Sequence, residues 1–268
     1  MAELLRATAL VKDFKVPKQA GWWGSDSVRA LDHVDLSVAE GETLAVVGES
    51  GSGKTTLGRS LLWLDPVDEG TVTFAGQDLA ALAGRDLRRL RKDLQMVFQD
   101  PYASLDPRLP ARDVVTETLT AHTKLGGDAL EAAARGLMQK VGLDPAMLDR
   151  HAHAFSGGQR QRLAIARAIA TKPRLIVADE PVSALDLELQ VQILELLKQL
   201  RREMNLTLVF ITHDLKLVRG FCQRMIVMKD GRIVEQGPVD QVFKSPQHPY
   251  TQELLAAILP LPVMRARG

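Results

Sequence analysis

Apolar and polar residues along this chain alternate between strand-like runs and segments of helical periodicity. Strand-like runs occupy 43–48, 71–76, 94–99, 174–179, 206–212 and 225–237, the last being a hairpin that turns at Asp230-Gly231. Apolar residues recur at helical spacing in 54–64, 128–141, 158–171, 187–203 and 214–222. Strands that alternate with helices predict an α/β fold with a mainly parallel sheet.

Two parts of the pattern refine this prediction. The runs 174–179 and 206–212 are apolar almost throughout, which is typical of strands covered on both faces of a sheet. Residues 101–155 contain proline-marked turns and helical periodicity but no convincing strand. We therefore expect this segment to be a helical insertion into the α/β core.

Composition excludes several classes of function. The 34 basic and 33 acidic residues leave a formal net charge of +1, so there is no electrostatic basis for nucleic acid as the main partner. The single cysteine, Cys222, excludes an internal disulfide and a cysteine-built metal site, and we expect it to be buried. The sequence predicts neither a secretion signal nor a membrane-spanning segment, because no window holds 18 uninterrupted apolar residues.

A glycine-rich segment, "GESGSGKTT", follows the first of the parallel-type strands and begins a helix. Its spacing and flanks are those of a phosphate-binding loop, in which successive backbone amides bind phosphate oxygens. A glycine-rich turn with an exposed lysine is the alternative, and the flanking strand and helix argue against it. The predicted nucleotide-binding residues are Gly48, Glu49, Ser50, Gly51, Ser52, Gly53, Lys54, Thr55 and Thr56. Lys54 would reach the outer phosphates, and Thr55 would offer its hydroxyl to Mg²⁺.

Polar side chains follow three other apolar strands. Asp179 ends the run "LIVAD" and is positioned to hold Mg²⁺, while Glu180 leaves the sheet in another direction and can polarise an attacking water. His213 and Gln99 follow the runs 206–212 and 94–99, and Gln99 could bind Mg²⁺ or water. Because the carboxyl ends of parallel strands share one edge of the sheet, we expect these side chains to meet near the phosphate loop.

The segment "AFSGGQRQRLAIARAIA", residues 154–170, predicts a helix capped by Ser156. Gly157 and Gly158 lie in its first turn, and each costs about 1 kcal/mol relative to alanine inside a helix. A purely structural cap leaves that cost unexplained. Bare amides at the beginning of a helix suit an anion, so the segment predicts a second phosphate-binding element.

Taken together and in this order, these motifs resemble the nucleotide-binding subunit of ABC transporters. The matching segments are the phosphate loop 48–55, the Q-loop Gln99, the signature "FSGGQ" 155–159, the Walker B strand 175–179, the D-loop "SALD" 183–186 and the switch histidine His213. Phe155 stands where that family most often has leucine. The resemblance implies one ABC ATPase domain over 1–268, a P-loop NTPase (RecA-like) α/β fold with an N-terminal antiparallel β subdomain. Within it, 1–100 and 156–268 would form the core and β subdomain, 101–155 an inserted α-helical subdomain, and about 240–268 a C-terminal tail.

The resemblance also implies roles. Two subunits would face head to tail, so that the signature residues of one contact ATP bound to the other; these residues are Ser156, Gly157, Gly158 and Gln159. Glu180 would be the general base, with Lys54 and His213 as the other catalytic residues. Thr55, Gln99 and Asp179 would hold Mg²⁺. Phe14 falls where the family has an aromatic residue that stacks on adenine, with Trp22 and Trp23 as alternatives.

Two further segments, "VFQDPYASLDPR" (97–108) and "SPQHPYT" (245–251), resemble the ATPases of dipeptide, oligopeptide and nickel importers. "FCQR" (221–224) resembles the nickel branch, and Asp106 stands where the first motif commonly has asparagine. The implied function is ATP-driven import of a peptide-type substrate, with a nickel or other small-solute importer of the same family as the alternative. The implied partners are a second ATPase subunit, identical or related, two transmembrane permease subunits and an extracytoplasmic substrate-binding protein. The implied location is peripheral, on the cytoplasmic face of the inner (plasma) membrane.

Other classes of function fit the sequence less well. ABC ATPases that act on DNA carry a long coiled coil between the Q-loop and the signature, which 101–155 cannot hold, and those that act on ribosomes usually carry two cassettes. A nucleotide-binding regulator without turnover needs neither Glu180 nor His213. A P-loop kinase does not account for "SGGQ" and "SALD" together.

Overall fold

The computed structural model describes residues 2–17, 25–82 and 84–258 and contains two sheets. The strands are β1 (Glu3–Pro17), β2 (Ser25–Ala39), β3 (Thr43–Val47), β4 (Glu69–Phe74), β5 (Gln77–Asp78), β6 (Leu94–Val97), β7 (Leu175–Asp179), β8 (Thr207–Thr212), β9 (Arg224–Lys229) and β10 (Arg232–Pro238). The helices are α1 (Lys54–Leu61), α2 (Arg85–Leu90), α3 (Pro101–Ser104), α4 (Ala111–His122), α5 (Gly127–Lys140), α6 (Gly157–Ile169), α7 (Leu187–Met204), α8 (Leu215–Val218), α9 (Val239–Lys244) and α10 (Pro249–Ile258).

The larger sheet has the strand order β10-β9-β3-β8-β7-β6. Its inner pairings β9-β3-β8-β7-β6 are all parallel, and β10 pairs antiparallel with β9 through the hairpin expected at Asp230-Gly231. The prediction of a mainly parallel α/β sheet is therefore confirmed. Alternate residues of each central strand enter two different cores: Leu44 and Val46 lie on one face of the sheet, and Ala45 and Val47 on the other.

A second, antiparallel sheet has the order β2-β1-β4-β5 and covers one face of the larger sheet together with α1. The hydrophobic pattern did not predict its two longest strands, β1 and β2; only the family resemblance implied a β subdomain there. Register shifts between Ala7 and Leu10 and again before Asp13 interrupt the two-residue alternation. A positive φ of 48° at Ala9 marks the same irregularity.

Helices α4 to α7 cover the other face of the larger sheet and bury its second core. Residues 101–155 form α3, α4, α5 and two 3₁₀ turns, and α4 packs on α5 and α6. The boundaries of a separate helical subdomain stay a prediction. The predicted helix 214–222 is shorter than expected and ends at Val218, because Arg219 is already extended, with a ψ of 121°, and Gly220 follows it with a φ of 83°.

Two smaller expectations concern Cys222 and the membrane. Cys222 is buried, and burial raises the pKa of its thiol, so the side chain is an unreactive part of the hydrophobic core.

Among the described residues, no helix combines the length and the apolar character needed to cross a membrane.

Candidate nucleotide site

The phosphate loop connects β3 to α1, and its shape depends on two glycines that leave no space for a side chain. A Cβ atom on Gly48 would collide with the carbonyl oxygen of Met228, and one on Gly53 would collide with that of Ala30. Both contacts would lie well inside 3.0 Å, a separation that real Cβ atoms essentially never show. Gly53 also has a φ of 98°, which L-residues avoid. The loop backbone thus packs closely against the backbone at Met228 and Ala30.

Lys54 is buried inside this loop. Its Nζ donates to the carbonyl oxygen of Glu49 at 2.6 Å and lies 3.5 Å from Ser52 Oγ. Burial lowers the pKa of the Lys54 ammonium, while the nearby carboxylates of Glu180 and Asp179 oppose that shift. The arrangement holds a cation at the loop with no salt bridge of its own among the described residues, so its charge is available to an incoming phosphate.

Asp179 lies at the end of β7 and is only 3% exposed. Burial is the main cause that raises the pKa of this carboxyl, and a hydrogen bond from Thr55 acts in the opposite direction. Its Oδ1 has no hydrogen-bond partner within the described part of the chain. A buried carboxylate oxygen without a partner, next to a threonine hydroxyl, is the oxygen donor set that Mg²⁺ prefers. These residues therefore fit a magnesium ion bound beside the phosphate loop.

Three residues predicted from three different strands meet at Glu180. Its two carboxylate oxygens each lie 3.1 Å from a partner, Oε1 from Nδ1 of His213 and Oε2 from Nε2 of Gln99. Glu180 adopts a left-handed φ of 44°, and its N–H donates to the carbonyl oxygen of Ile211. This turn directs the side chain away from β7 and towards the ends of β8 and β6. Gln99 also lines the same cleft as Thr55 and Asp179.

The signature segment begins α6 as a capping box. Ser156 Oγ accepts from the N–H of Gln159, whose side-chain oxygen accepts from the N–H of Ser156. A Cβ on Gly158 would lie 3.0 Å from Leu189, so close packing within the chain explains this glycine, contrary to expectation. A Cβ on Gly157 would make only an ordinary contact of 3.7 Å, to Leu185, so the fold does not require glycine there. Among the described residues, no hydrogen bond or ion pair joins this segment to the phosphate loop.

Phe14 lies on β1 opposite Val28 of β2, and both side chains are exposed. Lys12 Nζ is 5.6 Å from the centroid of the Phe14 ring. The carbonyl of Ala30, on β2, lies next to Gly53, so the strand pair β1–β2 passes beside the phosphate loop. An adenine-stacking role for Phe14 stays a prediction, and Trp22 and Trp23 lie outside the described residues.

Sequence reasoning missed one residue of the site. The N–H of Glu49 donates to the hydroxyl of Tyr250 at 3.0 Å, although the two residues are 201 positions apart. Tyr250 belongs to the segment "SPQHPYT", whose pattern indicates the subfamily. That motif was the available signal, but nothing in its pattern pointed to the phosphate loop.

The fold and this geometry place the chain in the class of P-loop nucleotide hydrolases. Residues 31–183 match the family model described as "ABC transporter", and residues 234–266 match "Oligopeptide/dipeptide transporter, C-terminal region". The chain belongs to the ABC transporter family and, within it, is an ATP-binding subunit that hydrolyses ATP. The predictions of family, fold and ATPase activity are confirmed.

Several named proteins are similar over most of their length. The oligopeptide transport ATP-binding protein OppF of Salmonella typhimurium is 46% identical over 251 residues, which cover 93% of this chain and 75% of that protein. The probable peptide ABC transporter ATP-binding protein y4tS of Sinorhizobium fredii is 48% identical, covering 95% of this chain and 72% of that protein. A solved dimeric post-hydrolysis state of the ATP-binding cassette MJ0796 with ADP and Pi has a TM-score of 0.78 at 31% identity, covering 88% of this chain and 99% of that one.

Proposed function

We propose that this chain is the ATP-hydrolysing subunit of an importer for peptide-type substrates, dipeptides or oligopeptides. The observation that carries the proposal is the match of residues 234–266 to the C-terminal region of oligopeptide and dipeptide transporters. Similar proteins with oligopeptide transport in their names support it. A nickel importer of the same family is the competing assignment, supported by the segment 221–224.

ATP binds with its phosphates in the amides of the loop 48–56, and Lys54 neutralises charge on the outer phosphates. Thr55, Asp179 and Gln99 would hold a magnesium ion, which would offset the negative charge of the phosphates. The unpartnered Oδ1 of Asp179 supports this assignment.

Hydrolysis begins with in-line attack of water on the terminal phosphorus. Glu180 accepts the proton of that water as the general base, the bond to the leaving oxygen of ADP breaks, and phosphate and ADP are the products. Because a carboxylate only accepts, its contact with His213 assigns the ring proton to Nδ1. His213 and Gln99 orient Glu180, and each carboxylate oxygen keeps a second lone pair that can accept the proton of the attacking water. Lys54 stabilises the negative charge of the transition state.

The signature residues act on the nucleotide of a second ATPase subunit. Gly157 supports this role because the packing of its own chain gives no reason for a glycine there. The solved relative in dimeric form supports the pairing. Gly157 and Gly158 then present their α6 amides to the partner's ATP, while Ser156 and Gln159, whose own N–H groups are engaged in the capping box, flank the nucleotide. The nucleotide thereby bridges the two subunits.

Two permease subunits couple this dimer to the membrane. A cleft of about 650 Å³ lies between α1, β6 and α4, and it reaches Gln99, Thr55 and Asp179 at the nucleotide site. A permease segment seated there would touch the residue that holds Glu180, so closure of the nucleotide site and movement in the permease would be linked. The helical segment 101–155 forms one wall of this cleft. An extracytoplasmic binding protein delivers substrate to the permease, and the chain itself lies peripherally on the cytoplasmic face of the inner membrane.

The proposal is tested by purifying the tagged chain from its native membranes and measuring ATP hydrolysis of the complex in proteoliposomes. We expect two permease subunits and a binding protein to co-purify, and a mixture of di- and oligopeptides to stimulate hydrolysis. The Glu180→Gln complex is the matched control and should show no stimulation. Stimulation by Ni²⁺ instead of peptides would contradict the substrate class, and recovery of ribosomal or nucleic-acid-binding partners alone would contradict the transporter assignment.

A further inference from the structure

The C-terminal segment, residues 245–258, contacts the phosphate loop through one buried side chain. Tyr250 is 4% exposed, and its hydroxyl oxygen accepts the hydrogen bond from the N–H of Glu49. The carbonyl oxygen of the same Glu49 accepts from Nζ of Lys54. Both polar backbone groups of Glu49 are therefore held by hydrogen bonds. The C-terminal segment holds the N–H, and Lys54, the lysine assigned to the outer phosphates, holds the carbonyl oxygen.

Tyr250 is itself held in place by contacts before and around it. The carboxylate of Glu235, on β10, accepts from the N–H groups of Gln247 and His248 at 2.9 and 3.0 Å. Nδ1 of His248 accepts from the N–H of Tyr250. These bonds fix the turn that precedes α10 and so determine where the phenol ring lies. Lys229 Nζ adds a cation–π contact 4.6 Å from the ring centroid.

The chemistry of the phenol suits a constant structural contact. Burial raises the pKa of Tyr250, so its hydroxyl stays neutral and continues to accept the Glu49 N–H over the whole physiological range of pH. The side chain also belongs to the same core as Leu215 and Val218 of α8, the helix that follows His213. Tyr250 thus joins the phosphate loop to the hydrophobic core that also contains α8.

We propose that Tyr250 is a positioning residue for ATP binding, which holds the Gly48–Glu49 peptide in the orientation that the phosphate loop needs. In this view, residues 245–258 form a strut that preorganises the nucleotide site. Without the strut, the loop samples conformations whose amides do not converge on phosphate, and nucleotide affinity falls. The inference rests on the phosphate loop as the ATP site and is independent of the transported substrate.

The experiment uses the purified full-length chain and the Tyr250→Phe variant, which keeps the ring and removes the acceptor. The readouts are the Kd for ADP by calorimetry, and KM and kcat for ATP hydrolysis. We expect the Kd and KM to rise about 3- to 10-fold, the factor that corresponds to one hydrogen bond of ordinary net strength, with kcat changed less than about twofold. Tyr102→Phe, at the exposed second tyrosine, is the matched control and should leave all three constants unchanged.

Other variants separate the causes. Glu235→Gln loosens the turn before α10 without touching the loop; its effect on Kd and that of Tyr250→Phe should be less than additive if they act through one contact. A Tyr250→Phe protein that melts at lower temperature but binds ADP normally would overturn the proposal, because Tyr250 would then only stabilise the fold. Lys54→Ala tests the underlying site: normal ADP binding in that variant would refute the ATP site itself, whereas lost binding there with normal binding in Tyr250→Phe refutes only the strut.

Discussion

Two glycines of the phosphate loop form a matched pair of sites for testing how closely the loop backbone packs against β2. Gly51 and Gly53 both have positive φ angles, 83° and 98°, so an alanine at either position is placed in a disfavoured backbone conformation. That common cost is about 1–2 kcal/mol. The surroundings differ, because a Cβ on Gly51 meets nothing within 4 Å, whereas one on Gly53 collides with the carbonyl oxygen of Ala30.

The Ala30 carbonyl cannot easily move away from such a collision. It belongs to β2, whose neighbouring Leu31 pairs with Lys12 of β1, and the N–H of Asp32 donates to the carbonyl oxygen of Gly231 at 2.9 Å. Forcing an extra carbon into a packed region typically costs about 1–3 kcal/mol. Gly51→Ala should therefore lose about 1–2 kcal/mol of stability, and Gly53→Ala about 2–5 kcal/mol.

The assay is urea unfolding followed by circular dichroism in the absence of nucleotide, so that a Cβ at position 51 faces only solvent. The difference between the two variants cancels the shared backbone cost and isolates the collision. If the two free energies of unfolding agree within about 0.5 kcal/mol, the loop is not held against β2 as described. If Gly51→Ala is the more damaging variant, the assignment of open space beside Gly51 is wrong.

Two further predictions concern the carboxylates of the site. Glu180→Gln should lower kcat by about 10²–10⁴-fold, which is the usual contribution of a general base. ATP binding should be retained, and a closed dimer should accumulate and be visible by size-exclusion chromatography. Near-normal turnover would exclude Glu180 as the base. Asp179→Asn should abolish magnesium-dependent hydrolysis. It should also raise the free energy of unfolding at pH 7 without metal, by about 1–3 kcal/mol, because the neutral amide removes a negative charge that is disfavoured by burial. Because burial raises the pKa of Asp179, the folded wild type binds this proton more readily than the unfolded chain. The stability gain of Asp179→Asn over the wild type should therefore shrink as the pH falls towards that pKa. A gain that is constant with pH would contradict the reasoning.

The central sheet was predictable because its strands are buried on both faces. Each of β3, β6, β7 and β8 lies inside a run that the apolar pattern marked as a strand. The pattern failed for β1, where irregular register breaks the alternation that identifies a half-buried strand. It also extended the helix after His213 too far, since the apolar spacing continues to Cys222 whereas the helix ends at Val218.

The meeting of Gln99, Glu180 and His213 follows from topology as much as from motifs. Each residue lies just after a parallel strand, and parallel strands deliver their carboxyl ends to one edge. The sequence could therefore place the three side chains together. It could not show that Gln99 and His213 each hold one oxygen of Glu180, because that depends on the left-handed turn at Glu180 itself.

No local sequence pattern predicts the long-range contacts that hold the phosphate loop in place. The loop touches β2 at Ala30, receives the N–H of Gly231 at the carbonyl oxygen of Ser52, and donates the N–H of Glu49 to Tyr250. Glycines allow the required backbone shape but also give the loop more conformational freedom to lose when it binds phosphate. We expect contacts from distant segments to remove part of that freedom before ATP arrives, and so to make binding tighter. We therefore expect the motif to determine which groups meet the phosphates, and the distant contacts to adjust the affinity with which they do so.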